Sequence, residues 1–120
     1  MSTLPTPSEM FADVVFTRFA AGSFVAGQYE AGAATPFTLR AHVMPPDDEV
    51  LRDLEEGERA RRPLLVVTKD ELRTANEEAA TAADRMTYQG DVFEAVRVQR
   101  FGSPLLPHYE TIFLRLENAA

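Results

Sequence analysis

Cysteine is absent from this sequence of 120 residues, and histidine occurs only twice. Without cysteine there is no disulfide framework, no thiolate metal site and no cysteine nucleophile. No apolar run approaches the roughly 20 residues that a membrane-spanning helix needs. Residues 1–9 also lack the basic-then-apolar pattern of a signal peptide. These absences predict a soluble protein that is made in a cytoplasm and does not contact a membrane.

The motifs of common enzymes and nucleotide-binding proteins are absent as well. The sequence has no G-x-x-x-x-G-K-[ST] phosphate loop, no G-x-S-x-G nucleophile elbow and no H-E-x-x-H zinc motif. His42 lies on the outward face of a predicted strand and His108 follows a proline, at no spacing typical of metal ligands. Ordinary hydrogen bonding is the favoured interpretation of His108. We therefore expect no catalytic residue, no metal site and no cofactor, and hence no enzymatic activity.

Negative charge is in excess and is concentrated in one part of the chain. The formal net charge is −7, and residues 47–84 hold twelve acidic residues against six basic ones, a net charge of −6. The acidic residues at the start of this segment lack the D-x-D-x-D-G order of a calcium loop. Solvated loops are therefore favoured over a specific acidic surface. An excess of negative charge also disfavours tight wrapping of nucleic acid.

The remaining composition is that of a folded domain. Hydrophobic residues make up 45% of the chain, which includes eight phenylalanines. A chain of this length forms one domain that buries roughly two-thirds of its unfolded surface. We expect a single domain over residues 1–120, with a flexible or partner-bound arm at residues 1–9 and a short tail at residues 117–120.

The clearest structural pattern is a predicted β-hairpin, whose arms are residues 85–88 and 91–99. The two-residue turn between them contains Gly90, and such a turn needs positive φ angles that glycine adopts at no steric cost. Along the second arm the alternation of apolar residues changes phase between Ala95 and Val96. This change predicts a β-bulge or a strand that is covered on both faces.

Other segments alternate or cluster apolar residues in the manner of strands. These segments are residues 11–19, 23–30, 38–43, 63–68 and 108–116. The second of them is weaker, because Gly27 interrupts it and predicts a bulge. One short helix is predicted at residues 47–56, with Asp47 or Asp48 as its N-cap and Gly57 as its C-terminal cap.

Residues 69–83 are ambiguous. Their composition favours a helix, but Leu72 is the only large apolar side chain, and a helix with nothing to bury is marginal in water. A helical turn at residues 70–74 followed by a surface loop is favoured, with a full helix as the alternative. Together these patterns predict an all-β fold, a small antiparallel β-barrel or sandwich of about six strands with one short helix and long charged loops.

Charged residues in the loops are the candidates for interaction with other molecules. They are Asp47, Asp48, Glu55, Glu56, Glu58, Arg59, Arg61 and Arg62. The three arginines lack interleaved aromatic residues, so ion pairing within the chain or between subunits is favoured over contact with a DNA backbone. Asp84, which precedes the predicted hairpin, is expected to accept hydrogen bonds from local backbone amides.

Six segments of the chain occur in a familiar order. They are LEEGER at 54–59, LLVVT at 64–68, DEL at 70–72, ADR at 83–85, YQGDVFEAV at 88–96 and HYE at 108–110. In order and spacing they resemble the head–tail connector proteins of tailed bacteriophages, which are the stopper, head-closure or neck proteins. The resemblance covers about residues 11–116, and no single motif is diagnostic. The sequence departs from the family pattern at Ala95, where valine is expected.

This resemblance implies a structural role in the virion. Such proteins are β-barrels with long loops that form a homo-oligomeric ring in the neck, here expected to be a dodecamer or a hexamer, and they are not enzymes. The ring joins the portal and adaptor proteins of the capsid to the tail tube or tail terminator protein. DNA passes through it without sequence-specific binding. The protein is then made in the cytoplasm of the host bacterium, and its acidic loops face a partner or the DNA channel.

Three other functions are weighed against this interpretation. A tail terminator or tail-completion protein also forms a small β-rich ring. A small barrel that binds a ligand or an oligonucleotide would need exposed aromatic residues with basic flanks, and no lysine or arginine clusters beside the tyrosines. An enzyme is the weakest alternative, because two histidines and unpaired carboxylates form no recognisable site.

Overall fold

The computed structural model describes residues 11–30, 32–76, 78–102 and 108–116. The predicted arm at residues 1–9 and the predicted tail at residues 117–120 lie outside the described residues.

Six antiparallel strands form a closed barrel in the order β1-β4-β5-β8-β7-β6, and two further strands form a separate hairpin. The strands are β1 (Ala12–Phe19), β2 (Ser23–Val25), β3 (Gln28–Glu30), β4 (Ala34–Met44), β5 (Leu64–Thr68), β6 (Arg85–Tyr88), β7 (Asp91–Phe101) and β8 (His108–Arg115). The helices are α1 (Asp48–Asp53) and α2 (Glu56–Arg59). The predicted all-β fold is thus confirmed as a barrel, with two short helices rather than one.

The predicted hairpin is β6 with β7. Its turn residues Gln89 and Gly90 both have positive φ angles, 51° and 85°, as a two-residue hairpin turn requires. The register of β7 against β8 shifts between Ala95 and Arg97, which confirms the predicted bulge. Val96 packs on a different apolar cluster from the one that contains Ala95, as alternation of side chains along a strand predicts.

Two apolar clusters lie on the two faces of the sheet. The barrel interior is filled by Val14, Phe16, Ala41, Val66, Leu72, Ala83, Met86, Phe93, Ala95 and Phe113. The second cluster consists of Leu54, Leu65, Ile112 and Leu114, with Met44, Val50, Leu51 and Val96 packed against it. Side chains alternate between faces along a strand, so β8 contributes to both clusters. The second cluster fastens α1 to the outside of the barrel.

Three local predictions are wrong. Gly27 belongs to the turn between β2 and β3 (φ 79°) and is not a bulge. Helix α1 ends at Leu54, which is its C-cap, and Gly57 lies inside α2. The third error concerns β4, which begins at Ala34 and includes Pro36; β4 is bonded there only to β1, and proline is tolerated at the edge of a sheet.

Residues 69–76 and 78–83, which we call the strap, cross the barrel from β5 to β6 without forming a helix. The predicted loop is correct, but the predicted helical turn at residues 70–74 is absent. The strap inserts Leu72, which is 1% exposed, into the barrel interior. A single bridge between Asn76 and Thr81 makes a tight bend in its second half. The strap therefore contributes Leu72 and Ala83 to the barrel core.

Candidate functional site

The hairpin of β2 and β3, residues 23–30, is the most exposed apolar feature of the described chain. All of its residues are exposed, with Phe24 at 72%, Val25 at 49% and Tyr29 at 41%. The rings of Phe24 and Tyr29 pack edge to face across the two strands, with centroids 5.7 Å apart. Contiguous exposed apolar side chains are typical of a surface that contacts another protein.

This hairpin is fastened at its base to the strap. The carbonyl oxygen of Ala80 accepts a hydrogen bond from the backbone N–H of Gly22 at 2.7 Å and another from the Tyr29 hydroxyl at 2.8 Å. A Cβ atom at Gly22 would lie 2.3 Å from the carbonyl oxygen of Glu30, so the close approach requires glycine. The hairpin is therefore held at a defined position although none of its side chains is buried.

The strap is in turn fastened to the barrel by Asp84, whose side chain is fully buried. The carboxylate accepts hydrogen bonds from Nε and Nη2 of Arg18, at 3.1 and 2.8 Å, and from the backbone N–H of Arg73 at 2.9 Å. The backbone of Asp84 also bonds to Arg73 on one side and to Ala95 on the other. Five hydrogen bonds thus converge on one residue at the point where strap, β1 and β7 meet.

Arg18 also contacts an aromatic ring, and its pKa is raised. Its guanidinium lies 4.8 Å from the centroid of the Phe37 ring, within reach of a cation–π interaction. The hydrogen bond to Asp84 raises the pKa of Arg18, burial lowers it, and the charge of Asp84 adds a further increase. Since the folded pKa lies above the unfolded one, the stabilisation is present below the unfolded pKa and is lost only as the pH rises through the folded value. The contribution of Arg18 to the stability of the fold is therefore constant around neutral pH.

Sequence reasoning predicted Asp84 as an acceptor of backbone amides, and the bond from Arg73 is of that kind. It missed Arg18, which is 66 residues away in the sequence. No local pattern relates the two positions.

A lateral cleft of about 850 Å³ lies beside the strap. Its apolar lining includes Val50, Leu65, Leu72, Val96, Val98, Phe101 and Ile112, from α1, β5, the strap, β7 and β8. Arginine side chains of the strap and β7 also line it, together with three acidic residues. The cleft and the hairpin are thus contacted by the same strap, at residues 71–76 and at Ala80.

The predicted acidic interaction residues are not gathered into one site. The side chain of Asp47 accepts a hydrogen bond from the N–H of Val50 and caps α1, where Asp48 occupies the first turn. Glu58 accepts a bond from the N–H of Glu55 at 3.0 Å. These three residues therefore have local structural roles.

Glu58 and Glu56 differ in their contacts with the rest of the chain. Glu58 also pairs with Arg97 at 3.1 Å. Glu56, in the first turn of α2, is exposed. Glu56 can therefore be changed with little effect on the fold.

The predicted arginines bond within the chain. Arg59 donates to the carbonyl oxygen of Leu54. Arg61 pairs with Glu94 at 3.1 Å and Arg62 pairs with Asp91 at 2.8 Å. Ion pairing within the chain, one of the two favoured interpretations, is therefore observed. Contact with a neighbouring subunit stays a prediction.

The first part of β4 extends beyond its pairing with β5 and has one exposed edge. Along residues 34–40, β4 pairs with β1 on one side, and its pairing with β5 begins only at Ala41. Pro36 lies in this edge and has no N–H to donate, which weakens it as a template for a further strand. The exposed hairpin, rather than this edge, is the stronger candidate for contact with another protein.

The two histidines lie apart in different contacts. His42 packs near the Phe11 ring, and His108 stacks on Phe101 with its Nε2 atom 3.5 Å from a carboxylate oxygen of Glu110. Within residues 11–30, 32–76, 78–102 and 108–116, no three potential metal ligands of the His, Cys, Asp or Glu type are grouped to hold an ion. In the same ranges, no helix has the length and apolar character to span a membrane.

Comparison with known proteins gives no assignment. The sequence matches no protein-family model and no curated protein.

Proposed function

We propose that this protein is a structural component of the neck of a tailed bacteriophage, where copies of it form a ring between the capsid and the tail. The proposal combines the resemblance of the sequence segments with two properties of the fold. The closed barrel is a scaffold of six strands that are hydrogen-bonded to one another. The hairpin at residues 23–30 extends from this scaffold and presents apolar side chains to solvent.

The observation that carries the proposal is the exposure of Phe24, Val25 and Tyr29 on one fastened hairpin. Burying such side chains contributes about 25 cal/mol per Å² of apolar surface. Their exposure is unfavourable for an isolated chain and is explained if another protein covers them. A subunit that contacts copies of itself and the portal, adaptor or tail proteins provides that cover.

The proposed role toward DNA is passive. The acidic residues of α1 and α2 lie in exposed segments, and a channel lined by negative charge repels the DNA backbone, so that DNA slides without binding. Glu56→Gln in the virion should slow DNA ejection, whereas Asp13→Asn, at an exposed position of β1 outside the two helices, serves as a matched control for charge alone. Equal ejection rates in wild type and the Glu56 variant would exclude Glu56 from the channel.

Electron microscopy of the purified protein mixed with the portal protein tests the proposal directly. We expect rings seated on the portal, and density for the barrel in the neck of the assembled particle. Density for the barrel at the end of the tail tube, with none at the portal, would instead assign the tail-terminator role. A protein that stays monomeric and is absent from virions would contradict both.

The lateral cleft favours one second candidate, a small barrel that binds a ligand. Its volume of about 850 Å³ lies within the range of about 300–1,000 Å³ that is common for ligand sites. Native mass spectrometry of the protein purified from its host distinguishes this function, because a bound small molecule would add a defined mass to the monomer.

A further inference from the structure

We propose that the hairpin of one copy, residues 23–30, inserts its tip into the lateral cleft of the next copy. The inference rests on the proposed ring function, and it assigns the two surfaces that would join neighbouring subunits. The occupant of the cleft is therefore a second copy of this chain.

The hairpin and the cleft are separate surfaces within one copy. The bonds from Gly22 and Tyr29 to Ala80 hold the hairpin against the second half of the strap, whereas the cleft lies against residues 71–76. Phe24 is 72% exposed, so it does not fill the cleft of its own chain. A protruding apolar side chain and a cleft at different places on one molecule give a head-to-tail contact, which closes into a ring when the rotation between copies permits.

The two surfaces match in chemistry. The hairpin tip presents Phe24 and Val25, and the cleft has an apolar lining with room for both side chains. The hairpin carries one charged residue, Glu30, and no basic residue.

The charges around the cleft allow an ion pair with Glu30. Arg73 and Arg100 contribute to the lining, and among the described residues no carboxylate pairs with either guanidinium. Of the three acidic lining residues, Glu110 lies 3.5 Å from His108. We expect Glu30 to pair with Arg73 or Arg100 of the neighbouring copy.

The hairpin is too small for a single contact to join two copies tightly. Eight residues are fewer than the roughly 20–30 residues that each partner contributes to a standard interface. Each subunit in a closed ring uses both its hairpin and its cleft, so the contacts act together and the effective concentration of the last contact is high. Self-association should therefore be weak for pairs and cooperative for rings.

Cysteine cross-linking tests the contact, because the native chain contains no cysteine. Val25→Cys places a thiol at the hairpin tip, and Gln99→Cys places one in the cleft lining at an exposed position. The two single variants, one of them lengthened by a tag, are mixed and oxidised. In the mixture we expect a disulfide-linked dimer of one longer and one shorter chain, and little dimer when either variant is oxidised alone. The double variant should give a ladder of oligomers.

A matched control replaces the cleft position by Thr38→Cys, which is exposed on β4 and does not line the cleft. The inference requires that Val25→Cys cross-links to Gln99→Cys at least tenfold faster than to Thr38→Cys. Phe24→Ser should reduce self-association roughly tenfold or more, as removal of a central aromatic contact does, and should leave the circular dichroism spectrum unchanged.

The failure of this inference can be told apart from the failure of the proposed function. Rings without preferential cross-linking to Gln99→Cys overturn the hairpin-to-cleft contact and leave the ring. A cross-link within one chain, seen as a faster-migrating monomer of the double variant, also overturns it. A chain that forms neither rings nor mixed dimers, alone or with the portal protein, overturns both.

Discussion

Arg18 and Asp84 form an ion pair through two hydrogen bonds, at 3.1 and 2.8 Å, in which the carboxylate is fully buried and the arginine side chain is 31% exposed. Both charged groups have further partners, since the carboxylate also accepts the N–H of Arg73 and the guanidinium lies over the ring of Phe37. This pair links β1 to the end of the strap, and the strap in turn bears the hairpin at residues 23–30.

Removing the carboxylate should destabilise the whole domain. Asp84→Ala leaves the N–H of Arg73 and part of the Arg18 guanidinium without a partner, and breaking a buried pair on one side costs about 3 kcal/mol. We expect a loss of that size in the free energy of unfolding measured in urea. Asp13→Asn, at an exposed position, is the control and should change stability by less than about 0.5 kcal/mol. A loss below about 1 kcal/mol for Asp84→Ala would contradict the assigned role.

The Tyr29 hydroxyl should matter to the hairpin and not to the barrel. Tyr29→Phe removes the bond to the carbonyl oxygen of Ala80 and keeps the bond from Gly22, so the hairpin opens more often. A hydrogen bond contributes about 1 kcal/mol, and amide hydrogen exchange in residues 23–30 should become roughly fivefold faster. Exchange in β7 and β8 is the internal control and should not change. Equal exchange in the hairpin of both proteins would show that the bond does not hold it.

Substitution by alanine should change the stability of the protein in opposite directions at Gly90 and at Gly57. Gly90 has a φ angle of 85°, which strains any residue with a Cβ atom, and Gly90→Ala should cost about 1 kcal/mol. Gly57 lies in α2 with open space around it, so Gly57→Ala should stabilise the protein by about 0.5 kcal/mol by restricting the unfolded chain. The urea midpoints of the two variants should move to opposite sides of the wild-type value. Shifts of the same sign would contradict the turn geometry.

The ion pair of Arg61 with Glu94 should contribute more than that of Arg62 with Asp91. The side chains of the first pair are 26% and 30% exposed, and those of the second are 46% and 38% exposed, so solvent screens the second pair more. Double-mutant cycles with alanine should give a coupling of about 0.5–1 kcal/mol for the first pair and a smaller one for the second.

The same variants also test contact between subunits. Loss of rings in Arg61→Ala at unchanged unfolding free energy would show that Arg61 bonds to a neighbouring copy rather than to Glu94.

Several features of the fold follow from short stretches of sequence. The turn at Gly90 was predictable because its positive φ angle is a property of one residue, and the bulge beside Val96 was predictable from a change of phase in the alternation of apolar residues. The cap of α1 by Asp47 is likewise local. The error at Gly27 has a local cause too, because glycine in a weak strand is compatible with either a bulge or a turn.

The site itself was less predictable. Phe24 and Tyr29 were part of a predicted strand, but their exposure follows from the position of their hairpin outside the barrel. Most of the charged residues chosen from the sequence turned out to cap a helix or to form hydrogen bonds and ion pairs within the chain, whereas Asp48 and Glu56 are exposed residues in the first turns of the two helices.

By itself the sequence determined an all-β domain with its main hairpin, its bulge and its helix cap, because each depends on the conformational preferences of adjacent residues and on a period of two. Only the tertiary structure decided that the strands close into a barrel, that Asp84 meets Arg18, and that Ala80 bears the exposed hairpin. Those contacts join residues far apart in the chain, and their free energy becomes available only when closure of the barrel brings the partners together.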